Sequence, residues 1–234
     1  MKLEYNTYIF DLYGTLIDIH SDEHSARTWK KWCRYLDGLK IKHPHYINFR
    51  RDFFDRDRAY RRRAIEEGPY AVPEIDIIEV YRELFLEYEN GILSDEILNE
   101  ISYRFRECSR DSIELYPCVL EYLKMLRDNG AKLYLLSNAQ ASYTLPEINM
   151  FHLENYLDGI MISSDEKCMK PEKAFFDKLF AKYNIDKAGA VMVGDTVSSD
   201  IEGARRAGIA SIHLHGENCA EHYYAKACSG NNGK

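Results

Sequence analysis

The hydrophobic pattern divides the chain into three stretches. Residues 6–10 are apolar or β-favouring and run into Asp11, which predicts a buried strand ending on a carboxylate. From about residue 18 the period changes. In HSDEHSARTWKKWCRYLDGL, Ser21 and Asp22 are candidate helix caps ahead of aromatic residues at helical spacing. FRRDFFDRDRAYRRRAIEEG is dense in charge and reads as helix. DIIEVYRELFLEYENGIL repeats apolar residues every three or four positions, an amphipathic helix. SDEILNEISYRFRECS reads as another, with Ser94 as cap and Glu96 nearby. Residues 18–112 are therefore expected to be all-helical.

After Pro117 strands and helices alternate. CVLEYLKMLRDNG is a helix stopping at Gly130, and AKLYLLSN a strand. YLDGIMISSD holds a strand centred on IMIS. PEKAFFDKLFAKYNI is a helix with Pro171 in its first turn, and AVMVGD a strand. SDIEGARRAG is a helix closed by Gly208, and GIASIHLH a last strand. This alternation implies an α/β fold, a doubly wound parallel sheet with right-handed crossovers. The first strand is separated from the others by the helical block, which reads as an insertion. The expected division is a core of 1–17 and 113–234 with a helical lobe of 18–112. No internal repeat is visible, and the tail CSGNNGK reads as disordered.

Composition narrows the function. The 234 residues are 45% hydrophobic, enough for a packed core. A net charge of -7 argues against general affinity for nucleic acid or anionic membranes. An anionic substrate would then be held by local cations. No apolar run reaches the length of a membrane span, and MKLEYNTYIF has no secretory apolar segment, so a cytoplasmic location is expected. The six cysteines include no C-x-x-C pair and read as free thiols.

Four polar groups follow four predicted strands. Asp11 follows YIF, Ser137 and Asn138 follow LYLL, and Lys170 lies shortly after IMIS. Asp195 follows VMVG, with Asp200 five residues later. In an open parallel sheet, ligands bind beyond the carboxyl ends of the strands, so these groups converge on one edge. The three carboxylates would repel one another unless a cation lay between them. All-oxygen ligands favour Mg²⁺, which also bridges to phosphate. Lys170 suits a phosphoryl oxygen or Asp11 itself. Ser137, Asn138 and the N–H groups after Asp11 can donate to phosphoryl oxygens. Asp11 can attack phosphorus, form an aspartyl-phosphate and lose it to water.

Taken together, FDLYGTL, LLSN, Lys170 with Pro171, and GDTVSSD resemble the four motifs of the haloacid dehalogenase-like hydrolase superfamily, in order, across the whole α/β part. The resemblance implies a Rossmann-like core with a helical cap inserted after the first motif. It implies Mg²⁺ held by Asp11, the backbone carbonyl of Tyr13 and Asp195, with Asp200 in support. Asp11 would be the nucleophile, and Thr15, Ser137, Asn138 and Lys170 would hold the phosphoryl group or orient Asp11.

Tyr13 departs from the phosphatase pattern, which carries an acid there as general acid and base. Dehalogenase members carry a tyrosine and need no metal. The retained Asp195 and Asp200 resemble the phosphatase form, and the metal role at position 13 uses only a carbonyl. The expectation is a Mg²⁺-dependent phosphohydrolase acting on a small phosphorylated metabolite. It would favour good leaving groups, because loss of an acid/base costs roughly 10²–10⁴-fold in rate. The Tyr13 hydroxyl or a cap residue would supply part of the missing proton transfer. The alternatives are a metal-independent 2-haloacid dehalogenase and a non-catalytic binder of phosphorylated ligands. Monomer and homodimer both remain open.

Each signal has a plainer reading. Asp11 alone could be a turn residue, and Ser137, Asn138, Asp195 and Asp200 could serve helix starts. Lys170 could be a surface lysine. The arginines at 50, 51, 56, 58 and 61–63 interleave with acids and read as a solvated helix with i,i+4 pairs. One or two could still face the site. His213, His215, Cys219, His222 and Cys228 match no standard zinc spacing. Trp29, Trp32, Phe53, Phe54, Tyr81 and Phe85 are expected to form the core of the helical block, some lining the pocket mouth.

Overall fold

The protein is described here by a computed structural model covering residues 3–88, 90–214, 219, 221–223 and 225–226. His215, Cys228 and the expected disordered tail lie outside these residues. In chain order the elements are β1 (Thr7–Phe10), β2 (Ile17–Ser21), α1 (Ala26–Gly38), α2 (Tyr46–Glu67), α3 (Ile77–Glu87) and α4 (Asp95–Ser109). They continue with β3 (Arg110–Leu115), α5 (Val119–Asp128), β4 (Lys132–Ser137), α6 (Ala141–Met150), β5 (Gly159–Ile162) and α7 (Ser163–Glu166). The last are α8 (Lys173–Tyr183), β6 (Ala190–Gly194), α9 (Glu202–Ala207) and β7 (Ala210–His213).

Five strands form one sheet in the order β5-β4-β1-β6-β7, with every pair parallel. The first strand in sequence is thus the middle strand in space, and its carboxyl end lies between those of β4 and β6. Alternate residues feed opposite faces. Phe10, Leu133, Leu135, Val191 and Val193 pack towards α5. Ile9, Tyr134, Leu136 and Met192 pack towards α8 and α9. Both faces are covered, as expected for a doubly wound sheet.

Helices α1–α4 build a separate core between β2 and β3. Trp29, Trp32, Phe49 and Phe85 are fully buried there. Trp32 stacks on Phe49 with ring centroids 4.8 Å apart, and Trp29 meets Trp32 edge-on at 5.4 Å. The expected aromatic core of the helical block is therefore present.

The structure differs from these expectations in several details. The block is not all-helical, because β2 and β3 form an antiparallel ribbon at its root. The expected limits, 18 and 112, fall inside those two strands. Their alternation is short and both faces are partly exposed, so the period-2 signal is weak. The cap of α1 is Ser25, whose Oγ accepts from Thr28 N at 3.1 Å, rather than Ser21 or Asp22. Ser21 ends β2, and Asp22 closes a turn by accepting from His24 N. Pro171 precedes α8 instead of opening it. An unpredicted helix, α6, follows β4 and carries Pro146 in its interior.

Among the described residues no helix is long and apolar enough to cross a membrane.

Candidate active site

Asp11 leaves the end of β1, anchored by its N–H to Val193 O at 2.9 Å. The chain then turns tightly, with Leu12 O accepting from Leu16 N and Ile17 N at 2.8 and 2.9 Å. Gly14 sits in the turn at φ +81, where other residues are strained. A Cβ there would lie 2.5 Å from Asp195 Oδ2, so glycine is required on both counts.

Lys170 joins the two buried acids. Its Nζ lies 2.7 Å from Asp11 Oδ1 and 2.7 Å from Asp200 Oδ1. The lysine is 2% exposed and Asp200 0% exposed. A buried ion pair needs such close geometry to offset desolvation. Asp200 is also held by its own loop, with Oδ2 accepting from Thr196 N at 3.0 Å. Gly194 makes room for it, since a Cβ there would lie 2.4 Å from the carboxyl carbon.

Asp11, Asp195 and Asp200 offer carboxylate oxygens within 4.8 Å of one another. Lys170 supplies one positive charge to these three acids, so the cluster retains negative charge. Oxygen donors with excess negative charge suit a hard divalent cation such as Mg²⁺. Burial raises the Asp11 carboxyl more than Lys170 lowers it, and with the charge of Asp200 the group is pushed up to about 6. Burial opposes the charge on Lys170, but Asp11 and Asp200 outweigh it and hold its pKa above the usual value.

Two hydroxyls beside this cluster are buried without a partner among the described residues, Thr15 Oγ1 and Ser137 Oγ. Burying a hydroxyl unpaired costs about 1–3 kcal/mol. A ligand carrying acceptor oxygens would satisfy both. Asn138 acts differently from the expectation that its side chain donates to a phosphoryl group. Its Nδ2 donates to Lys170 O at 2.9 Å, and its Oδ1 accepts from Lys170 N at 2.8 Å. The side chain thus clamps the lysine backbone and fixes where Nζ points.

Tyr13 has a partner that the sequence did not disclose. Its hydroxyl donates to Glu147 Oε2 and lies 3.1 Å from Thr144 Oγ1, both on α6. Glu147 is completely buried and meets Arg106 at 3.1 Å and Arg110 at 3.0 Å. The Arg106 guanidinium lies 5.2 Å from the Tyr13 ring centre. Burial first, then the charge of Glu147, holds the Tyr13 phenol well above its ordinary pKa. The expected proton transfer by this hydroxyl meets an obstacle, since its proton faces a carboxylate on α6. The signals were an acid in the apolar run TLPEIN and an arginine beside the apolar stripe Leu98, Ile101, Phe105.

No zinc site forms among the described residues. His213 Nε2 donates to Asp195 O at 2.8 Å, Cys219 donates to Gly14 O, and His222 packs against Tyr122.

Residues 5–208 match the family described as haloacid dehalogenase-like hydrolase. The chain belongs to this family.

Similar curated proteins carry phosphatase names. The pyrimidine 5'-nucleotidase YjjG of Escherichia coli is 27% identical over 60% of this hydrolase and 69% of its own length. The pyrophosphatase PpaX of Halalkalibacterium halodurans is 29% identical over 88% of this chain and 82% of its own. A glyceraldehyde 3-phosphate phosphatase of Pyrococcus abyssi is 28% identical, but the match spans 41% of this chain and 40% of that protein. Among solved structures, a 2-haloacid dehalogenase from Pseudomonas syringae superposes with TM-score 0.60 at 24% identity, covering 90% of this chain and 86% of that one. A phosphatase from Thermococcus onnurineus gives 0.55 at 22% identity, with the same coverage of 90% and 86%. These two likenesses establish the shared fold.

Proposed function

We propose that this hydrolase is a Mg²⁺-dependent phosphohydrolase acting on a small phosphorylated metabolite through an aspartyl-phosphate. The observation that carries the reading is the buried Lys170 between Asp11 and Asp200, with Asp195 completing the acidic cluster. The unpartnered Thr15 and Ser137 hydroxyls beside it support a ligand rich in acceptor oxygens.

Asp11, the Tyr13 carbonyl and Asp195 would hold Mg²⁺, with Asp200 in support. When bound, the ion supplies charge neutralisation for the phosphoryl oxygens. Lys170 orients Asp11 Oδ1 and balances its charge. Thr15 and Ser137 donate to phosphoryl oxygens. Asp11 attacks phosphorus, and the bond to the leaving oxygen breaks. Water then attacks the same phosphorus, the bond to Asp11 breaks, and phosphate leaves.

The Tyr13 side chain supplies neither acid nor base in this reading, because its proton is held by Glu147. Leaving groups of low pKa, such as aryl and acyl phosphates, tolerate that loss best. The helical block, near 18–112, would act as the cap over the site. A metal-independent 2-haloacid dehalogenase is the second reading, favoured by Tyr13 alone. Release of chloride from 2-haloacids without metal is its distinguishing sign.

The test is phosphate release from an aryl phosphate with Mg²⁺, with EDTA, and with Asp11→Asn. The expected result is release that requires both Mg²⁺ and Asp11. Release that persists in EDTA or in the variant overturns the proposal.

A further inference from the structure

A cavity of about 140 Å³ lies between the helical block and the start of α6. It sits beside the catalytic loop, because one wall is Arg106, whose guanidinium covers both the Tyr13 ring at 5.2 Å and the Tyr143 ring at 4.9 Å. Gln140, two residues beyond Asn138, forms another wall. Phe54, Tyr81 and Phe105 supply aromatic faces from the helices above.

The charges around the cavity are already matched. Arg61 pairs with Asp57 at 3.1 Å and with the buried Glu74 at 3.0 Å. Arg106 pairs with Glu147 at 3.1 Å and Glu23 at 3.3 Å. Neither guanidinium is spare, and Asp57 and Glu23 would repel a further anion. Gln140 is held in place by the backbone of the helical block, donating to Ile75 O and accepting from Ile77 N. Tyr143 lines the same cavity with its ring under the Arg106 guanidinium, and burial holds its phenol above the ordinary pKa, so it enters the cavity as a neutral group.

We propose that this cavity receives the leaving group and selects one with an uncharged body no larger than a single ring. This inference rests on the phosphohydrolase reading and names its substrate class. The size limit follows from volume, since cavities of about 150 Å³ take a benzene. The charge limit follows from desolvation, because a second anion would enter without a counter-charge. Esters of a second phosphate or of a sugar acid are thereby disfavoured, and phosphates of small uncharged aryl groups favoured.

The experiment compares kcat/KM for phenyl phosphate, 1-naphthyl phosphate and 4-carboxyphenyl phosphate in Mg²⁺. The wild-type protein should prefer the phenyl ester by about tenfold or more over each of the others, the scale of a pocket mismatch. In Phe54→Ala the naphthyl-to-phenyl ratio should rise about tenfold, while the preference against the carboxylate persists. Equal use of the three esters by the wild type overturns the inference and leaves the phosphohydrolase reading standing. Absence of hydrolysis of all three overturns both. A Phe54→Ala variant that fails to fold does not affect the wild-type comparison, which decides alone.

Discussion

The Tyr13 hydroxyl donates to Glu147, and Glu147 lies fully buried under Arg106 and Arg110. Tyr13 belongs to the loop that carries Asp11, Glu147 to α6, Arg106 to the helical block and Arg110 to the ribbon at its root. The residue that replaces the expected acid therefore ties the nucleophile loop to the other parts of the molecule.

This pairing sets a stability order. Tyr13→Phe removes one hydrogen bond while leaving Glu147 with both arginines, at a cost of about 1–2 kcal/mol. Glu147→Ala leaves the buried Arg106 with only the more exposed Glu23 and strips the half-buried Arg110 of this acid, and should cost about 3 kcal/mol or more. Urea denaturation checks the order. Equal costs would mean that the arginines find other partners.

Restoring the acid should change selectivity more than speed on activated esters. For Tyr13→Asp, the ratio of alkyl to aryl phosphate turnover should rise roughly 10²-fold, the low end of an acid/base contribution. Steady-state kcat on both ester types measures it. An unchanged ratio would mean that position 13 never limits leaving-group protonation.

Lys170→Met takes the cation from between Asp11 and Asp200. Turnover should drop about 10²–10³-fold, the scale of a lost preorganised charge. KM for the aryl ester should move less than kcat, because the lysine's contact is with the nucleophile. A variant with near-normal kcat would contradict the role assigned to Lys170.

Acidity gives a further handle. Asp11 sits at about 6 in the metal-free protein, above its ordinary 3.8, mainly through burial. The raised value means that the folded state holds this proton more tightly than the unfolded chain does. The contribution of Asp11 to metal-free stability should therefore fall as pH rises from 3.8 towards 6. Cation binding requires the ionised form, so Mg²⁺ affinity should weaken about tenfold for each pH unit below that value. Calorimetric titration across this range checks it, and a pH-independent affinity would count against Asp11 as ligand.

Much of this site was legible in the sequence because its residues follow strands. Asp11, Ser137, Lys170 and Asp195 each come soon after an apolar run, and the parallel sheet carries them to one edge. The glycine of FDLYGTL likewise marks a tight turn. The rest of the site depends on contacts between distant elements. The Tyr13–Glu147 pair spans 134 positions, and no local pattern announces it. Pro146 and weak amphipathicity hide α6, although it carries Thr144 and Glu147, the partners of the Tyr13 hydroxyl. Short half-exposed strands hid the β2–β3 ribbon. The partner of the Asn138 amide is equally hidden in the sequence, because it depends on packing, and here packing gives it the Lys170 backbone.

The most direct test of the central claim is mass spectrometry of the peptide containing Asp11, after acid quench during turnover of an aryl phosphate with Mg²⁺. The account predicts a mass increase of one phosphoryl group on Asp11, lost on incubation without quench and absent in Asp11→Asn. Phosphate release at full rate with Asp11 never modified would contradict it.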